Sequence, residues 1–349
     1  MRYEKLDFSS MDEIVNSHDT SLTDLMANGD GFTYTAGGGV TITGEKTIFG
    51  TTIAEASLND NGFGNLCYYL GVPKKWLQSE KCPSDLEEYI VNRLKTDMSD
   101  NRLWRLRKVG ASNVCRAVLS EQYLKYNHKH MWDDIKESIV GTGMEQLKPK
   151  IWKPYVQDSM NFWILFENVT LPDNEKLNGL YDGGGTGGLR PAIHIRNSED
   201  GTGRAKIMSG MYRSYCDNGV IFGWTGQAEM EAVHRGNNFG LMRTKVALAI
   251  AEAADNCGLG IEKFVEATHI RIKQEAMNKV VENWTQKYSI SIEASEGWNN
   301  ALKSTKTWAD VVMATSDYAN SIENGKKQSE FEEIAGQMLF EGVSKEYTY

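Results

Sequence analysis

Three consecutive stretches, LRPAIHIR (189–196), NSEDGTG (197–203) and RAKIMSGMYR (204–213), decide the fold. The first and third alternate apolar with polar residues at a period of two, the spacing of a half-buried strand. The second carries the Asp-Gly chemistry that closes a hairpin. Ile193 and Ile195 share one side of the first strand, with His194 and Arg196 on the other. In the second, Ala205, Ile207, Ser209 and Met211 oppose Arg204, Lys206, Met208, Gly210 and Tyr212. A third short strand, Val220 to Phe222, follows the turn at Asp217-Asn218-Gly219, and a helix is predicted over Leu241–Asn256. The middle of the chain thus reads β-β-β-α.

Upstream, Val114–Leu119 and Asn161–Phe166 read as strands, the second apolar enough to be buried on both faces. Helices are predicted over Gly64–Gly71, after Pro73 with Trp76 and Leu77, and from Pro83 through Leu94. Gly37-Gly38-Gly39 ahead of Val40, Ile42 and Ile48 suggests a short hairpin. Downstream, Ile261, Phe264, Val265, Ile272, Ala276, Val280, Trp284 and Tyr288 form one long amphipathic stripe, with shorter helices around Trp298–Ser321 and Glu330–Phe340. The expected class is α+β: a central antiparallel β-β-β-α unit with N-terminal helices and a helical C-terminal third. The expected regions are a polar segment with a hairpin (1–60), an α+β core (61–256) and a helical region (257–349).

The 349 residues are 40% hydrophobic and 24% charged, which excludes a wholly disordered or collagenous chain. No run approaches the length of a membrane helix, and MRYEKLDFSSMDE lacks the apolar segment of a secretory signal. Five scattered cysteines fit reduced thiols, so a cytoplasmic protein without a membrane partner is expected. A net charge of −9 argues against a simple basic DNA-coating protein. Charge is nevertheless polarised: basic residues dominate Arg93–Lys129, and acidic residues dominate from Asp317 onward.

Catalytic motifs are weak. Gly183–Gly188 lacks the order and the lysine of a phosphate loop and precedes a strand. His128 and His130 have no cysteine or acid at ligand spacing, and the other histidines could meet only through the fold, so no metal is expected. Cys216 with His234 is a conceivable nucleophile pair of a kind that chance supplies in chains of this size. Glu199, Asp200 and Asp217 sit beside turn glycines, where acids serve backbone geometry. Neither a catalytic residue nor a cofactor is expected, which makes a non-enzymatic protein the favoured reading.

Basic residues mixed with aromatics are more informative, because cations track a nucleic-acid backbone while rings stack bases. One such strip is His194, Arg196, Arg204, Lys206, Tyr212 and Arg213 on the hairpin. Another is Arg102, Trp104, Arg105 and Arg107, with Lys108 and Arg116 beside it. Solvated strand faces with stray cations are the alternative reading of both.

RKVG (107–110) through RAVLSEQY (116–123), NSEDGTG (197–203) followed by GMYRSYCDNG (210–219), and HRGN (234–237) resemble segments of the phage/plasmid-like protein family. That family is of unknown function and occurs in phages, prophages and plasmids. The resemblance runs over roughly residues 55–340. It departs at Tyr215, where the family more often has an aliphatic residue. It implies a mobile-element context and transfers no catalytic or binding residue. The β-β-β-α order is similar, as a fold-level analogy, to the core of single-strand annealing recombinases of the Red-beta and Erf kind, which act without ATP as rings or filaments. The expectation is therefore a single-stranded DNA-binding protein, ATP-independent in any annealing role and a homo-oligomer, with its acidic C-terminal tail contacting a protein partner. The alternative is a structural or host-interaction protein that docks through its C-terminal helices.

Overall fold

The computed structural model describes residues 5–46, 51–166, 189–213, 218–221, 230–236, 238–322, 325–343 and 348. Gly183–Gly188, Cys216, Asp217 and Phe222 lie outside them, as do the side chains of Tyr212 and Arg213.

The alternation that defined the hairpin reappears in its register. Strands β9 (Leu189–Ser198) and β10 (Ala205–Arg213) pair antiparallel, with Ile195 opposite Ile207, Arg196 opposite Lys206 and His194 opposite Met208. β7 (Pro149–Val156), β8 (Ser159–Phe166) and β11 (Asn218–Ile221) extend this sheet in the order β11-β10-β9-β8-β7, and β12 (Met230–Ala232) also pairs with β10. One face buries Phe162, Ile164, Ile193, Ile195 and Ile207. It packs beneath α1 (Phe8–Thr20), α5 (His128–Gly141) and the long α6 (Phe239–Thr268), through Met11, Trp132, Ile135, Val246 and Ile250. The other face buries Trp152, Trp163, Leu165, Ala192 and Met208. Strand β8 is therefore covered on both sides, as its unbroken apolar run predicts.

An N-terminal sheet stands beside this one. β1 (Leu22–Ala27), β2 (Phe32–Thr35), β3 (Gly39–Lys46), β4 (Thr51–Leu58), β5 (Arg102–Val109) and β6 (Ser112–Ser120) run in the order β1-β5-β6-β4-β3-β2. A further β1–β3 pairing, Leu25 opposite Lys46, curls the sheet into a barrel. Helices α2 (Asp60–Leu70), α3 (Lys74–Leu77) and α4 (Ser84–Leu94) cover it through Phe63, Leu66, Leu77 and Val91. The hairpin expected at the glycine run is β2–β3, turned at Gly37 and Gly38 with φ of 81° and 86°, a region that a side chain opposes. Ile48, assigned to it from sequence, lies outside the described residues.

The C-terminal third is helical, with two corrections. The single stripe from Ile261 to Tyr288 is two helices, because α6 ends at Thr268 and α7 begins at Met277 (Met277–Tyr288). Between them Ile272 N–H donates to Lys306 O, and Trp308 N–H to Ile270 O, tying the break to the next connection. The helix expected over Trp298–Ser321 is likewise α8 (Ile292–Leu302) and α9 (Trp308–Asn320). A capping box between Thr307 and Asp310 starts the second. The last helix is α10 (Gly325–Glu341). Trp298, Trp308, Val312, Phe331 and Met338 form the core of this bundle.

Candidate functional site

The hairpin's polar face is the floor of a cleft of about 760 Å³. Arg196 and Lys206 share a rung of the ladder, and Arg204 stands at its mouth. Lys153 and Tyr155 line the opposite side, next to the irregular register between Trp152 and Tyr155 in β7, where Lys153 takes a left-handed φ of 50°. Such a bulge re-aims side chains at a strand rim.

Helix α10 forms the wall. Its Glu333 accepts from Arg196 Nη1 at 2.8 Å and from Lys206 Nζ at 3.4 Å. Glu231 of β12 pairs with Arg204 and lies 3.8 Å from Lys206. Glu332, one residue along and 3% exposed, has its carboxyl pushed up to about 7, chiefly by burial, against the pull of Lys153 and Arg196. His194 belongs to the same strand face but is fully buried. It is paired with Asn161, its ring lies 4.7 Å from Trp163, and burial holds it well below the ordinary histidine pKa. The cleft thus gathers Arg196, Arg204 and Lys206 and leaves His194 beneath them.

The second sequence-predicted strip does not form one surface. Trp104 is fully buried in the barrel, donating to Ala27 O at 3.2 Å with its ring 4.8 Å from Phe32. It cannot stack a base in this arrangement. Arg105 is also fully buried: its guanidinium donates to Asp24 at 3.0 Å, to Glu199 O at 2.6 Å and to Asn127 at 2.5 Å. Arg102 lies over the Tyr69 ring at 4.2 Å, and Arg107 pairs with Asp158 at 3.2 Å. Alternation on β5 puts Trp104 and Arg105 on opposite sides, but both are covered, so Arg105 serves internal pairing.

Arg105 leads to a constellation whose members are remote in sequence. Glu199, assigned above to turn geometry, is completely buried where the hairpin meets the barrel. Its Oε1 accepts from the His128 backbone N–H at 2.6 Å, and its Oε2 from Arg116 Nη2 at 2.8 Å. His18 Nε2, at the end of α1, lies 3.1 Å from the same Oε2. Burial favours the neutral carboxyl, but His128, His18, Arg116 and Arg105 outweigh it and hold Glu199 well below its ordinary pKa. His128, fully buried, is also lowered, to about 3, mainly by desolvation, which favours its neutral form. One atom each of His18, His128 and Glu199 lies within 4.8 Å of the other two, a meeting that spacing alone did not reveal. Neighbouring turn residues are fastened as well: Asp200 accepts from Ser198 and Thr202, and Tyr123 O–H donates to Ser198 O at 3.2 Å. His234 stacks on Tyr123 at 5.2 Å; Cys216, its proposed partner, is outside the described residues.

Residues 120–333 match the family described as Domain of unknown function (DUF932), which spans α5, the second sheet and most of the helical third. The chain belongs to this phage- and plasmid-associated family. No curated protein and no solved structure matches it. Among the described residues no helix is long and apolar enough to cross a membrane.

Proposed function

We propose that this protein binds single-stranded nucleic acid in the cleft between the β9–β10 hairpin and α10. The observation that carries the reading is the assembly of Arg196, Arg204 and Lys206 with Lys153 and Tyr155 around one cleft of about 760 Å³. A single strand needs cations along its backbone and a ring for its bases, and this cleft is lined by Lys153, Arg196, Arg204 and Lys206 with Tyr155. Glu333 and Glu231 now hold positions on Arg196, Lys206 and Arg204 that phosphate oxygens would take, so binding is an exchange of carboxylate for phosphate. Membership of a phage- and plasmid-associated family is in keeping with a role on nucleic acid. Annealing of complementary strands and assembly into homo-oligomers are extensions of this reading, and they rest on the β-β-β-α analogy.

The test is fluorescence anisotropy of labelled single- and double-stranded oligonucleotides across a salt titration. The parent should favour the single strand and weaken steeply with salt. The double variant Arg204→Ala, Lys206→Ala should bind more weakly, with the log–log salt slope reduced by about 1.4 for two lost phosphate contacts. Equal binding by parent and variant would remove the cleft from the account. Absence of binding at low salt would remove nucleic acid altogether, leaving docking through the C-terminal helices as the reading to pursue.

A further inference from the structure

The nucleic-acid reading gives no role to the two imidazoles gathered on Glu199. We propose that His18, His128 and Glu199 form a binding site for one divalent first-row transition cation, with zinc as the reference ion. The inference is independent of the cleft.

The hydrogen bonding of His128 is the first support. Its Nε2 lies 3.1 Å from Gln157 O, a carbonyl that can only accept, so the ring proton of the neutral imidazole is placed on Nε2. Nδ1 is then an acceptor, and the Asn197 amide lies 3.1 Å from it. Nδ1 also faces Glu199 Oε1 at 3.5 Å, so two electron-rich atoms confront each other in a fully buried site. A cation between them turns that confrontation into ligation. A metal-bound histidine characteristically donates its remote N–H to a backbone carbonyl, the arrangement His128 has with Gln157.

Spacing is the second support. Two ligands about 2.1 Å from one ion, at octahedral or tetrahedral angles, stand about 3.0–3.4 Å apart. His18 Nε2 to Glu199 Oε2 is 3.1 Å, and His128 Nδ1 to Glu199 Oε1 is 3.5 Å. One atom from each of the three residues lies within 4.8 Å of the other two, so an ion can replace the His18–Glu199 hydrogen bond once the imidazoles close on the carboxylate. The His18 side chain is 7% exposed and Glu199 is fully buried, which places the imidazole of α1 on the outer side, toward entry.

Donor chemistry is the third. Two imidazoles and one carboxylate suit zinc, iron, cobalt or manganese, whereas calcium and magnesium prefer oxygen alone. The amide of Asn197 donates through Nδ2 to His128 Nδ1 at 3.1 Å and must yield to the ion. Its Oδ1 is buried with no hydrogen-bond partner among the described residues. Turning the amide over brings that oxygen beside the ion as a fourth donor, at the expense of the bond from Nδ2 to Tyr126 O. Arg116, on the same carboxylate, opposes a dication and limits the affinity without blocking His128 or His18.

The experiment uses the full chain, stripped with a chelator and titrated calorimetrically with zinc alone. Elemental analysis after gel filtration and the visible absorption of a cobalt-loaded sample follow. One equivalent of zinc, with cobalt bands that disappear on adding zinc, is expected. His18→Gln keeps a donor for Glu199 Oε2 but removes the imidazole. It should bind zinc at least about tenfold more weakly, with an unchanged urea midpoint in the metal-free form. His269→Gln, at an exposed histidine beyond the end of α6, should bind like the parent. Glu199→Gln provides a second removal of a ligand should His18→Gln alter the fold. A parent that retains no stoichiometric zinc overturns the proposal. So does zinc binding that survives both His18→Gln and Glu199→Gln.

Discussion

Glu332→Gln is a change whose effect should depend on pH in a calculable way. The Glu332 carboxyl sits in the wall of the cleft, and burial raises its pKa from the ordinary 4.5 to about 7. Folding therefore takes up a proton wherever the pH lies between those values. The stabilising contribution is complete below the unfolded pKa and is lost as pH rises through the folded one. A displacement of that size corresponds to about 3 kcal/mol, lost between about pH 4.5 and pH 7 and constant above. Glutamine keeps the shape and cannot ionise. The variant should thus gain on the parent by about 3 kcal/mol as pH rises from about 4.5 to 8. His128 and His234, lowered by burial to about 3 and about 4, slope the opposite way: their contributions are present above the ordinary histidine pKa and fade in acid. Both are common to the two proteins and cancel in the difference. Urea unfolding followed by tryptophan fluorescence, at four or so pH values across this range, measures it. A difference between variant and parent that does not change with pH would refute the reasoning, because burial of an ionisable carboxyl in the cleft wall requires it to change.

Two further outcomes follow from the same charges, beside the salt-slope and zinc experiments. Glu333→Gln removes the carboxylate shared by Arg196 and Lys206; both sides of these pairs are about a fifth exposed, so stability should fall by no more than about 1 kcal/mol. Single-strand affinity at low salt should rise in the anisotropy assay, and a fall would contradict competition at the cleft. Arg116→Ala leaves the Glu199 carboxylate without the buried guanidinium that pairs with it directly and should destabilise by about 3–5 kcal/mol. A urea midpoint near that of the parent would show that this pair is not structurally important.

Much of the fold was legible because it rests on local periods. The β9–β10 hairpin and its two faces follow from alternation at a period of two, and the starts of α3 and α4 follow from Pro73 and Pro83. What escaped depends on distant partners. RLWRLRKV (102–109) has the composition of an exposed basic stretch, yet it is β5, with Trp104 and Arg105 fully buried. The acceptors that make this tolerable for Arg105, Asp24 and Glu199 O, are 81 and 94 residues away along the chain. A lone arginine gives no signal of such partners. His18 and Glu199 are 181 residues apart, so their meeting leaves no spacing motif. The break after Thr268 was hidden for a different reason: apolar residues continue through the connection, where Ile272 is buried by pairing with the segment before α9. Of the cleft, the sequence showed Arg196, Arg204 and Lys206 as a set, but not the acidic helix that lies against them.

The match to the family begins at residue 120, whereas the charges that settle Glu199 do not. Arg105, Arg116 and His18 all precede that boundary, on two strands of the barrel and the helix before it. An excised fragment of residues 120–333 would lose the guanidinium partners of Glu199 together with the barrel against which it is buried. The family-matched segment and the set of residues that settles Glu199 are then different objects. The barrel supplies partners that the hairpin turn of the following sheet does not have within the matched segment, and a fragment cut at the family boundary should unfold at lower urea than the full chain.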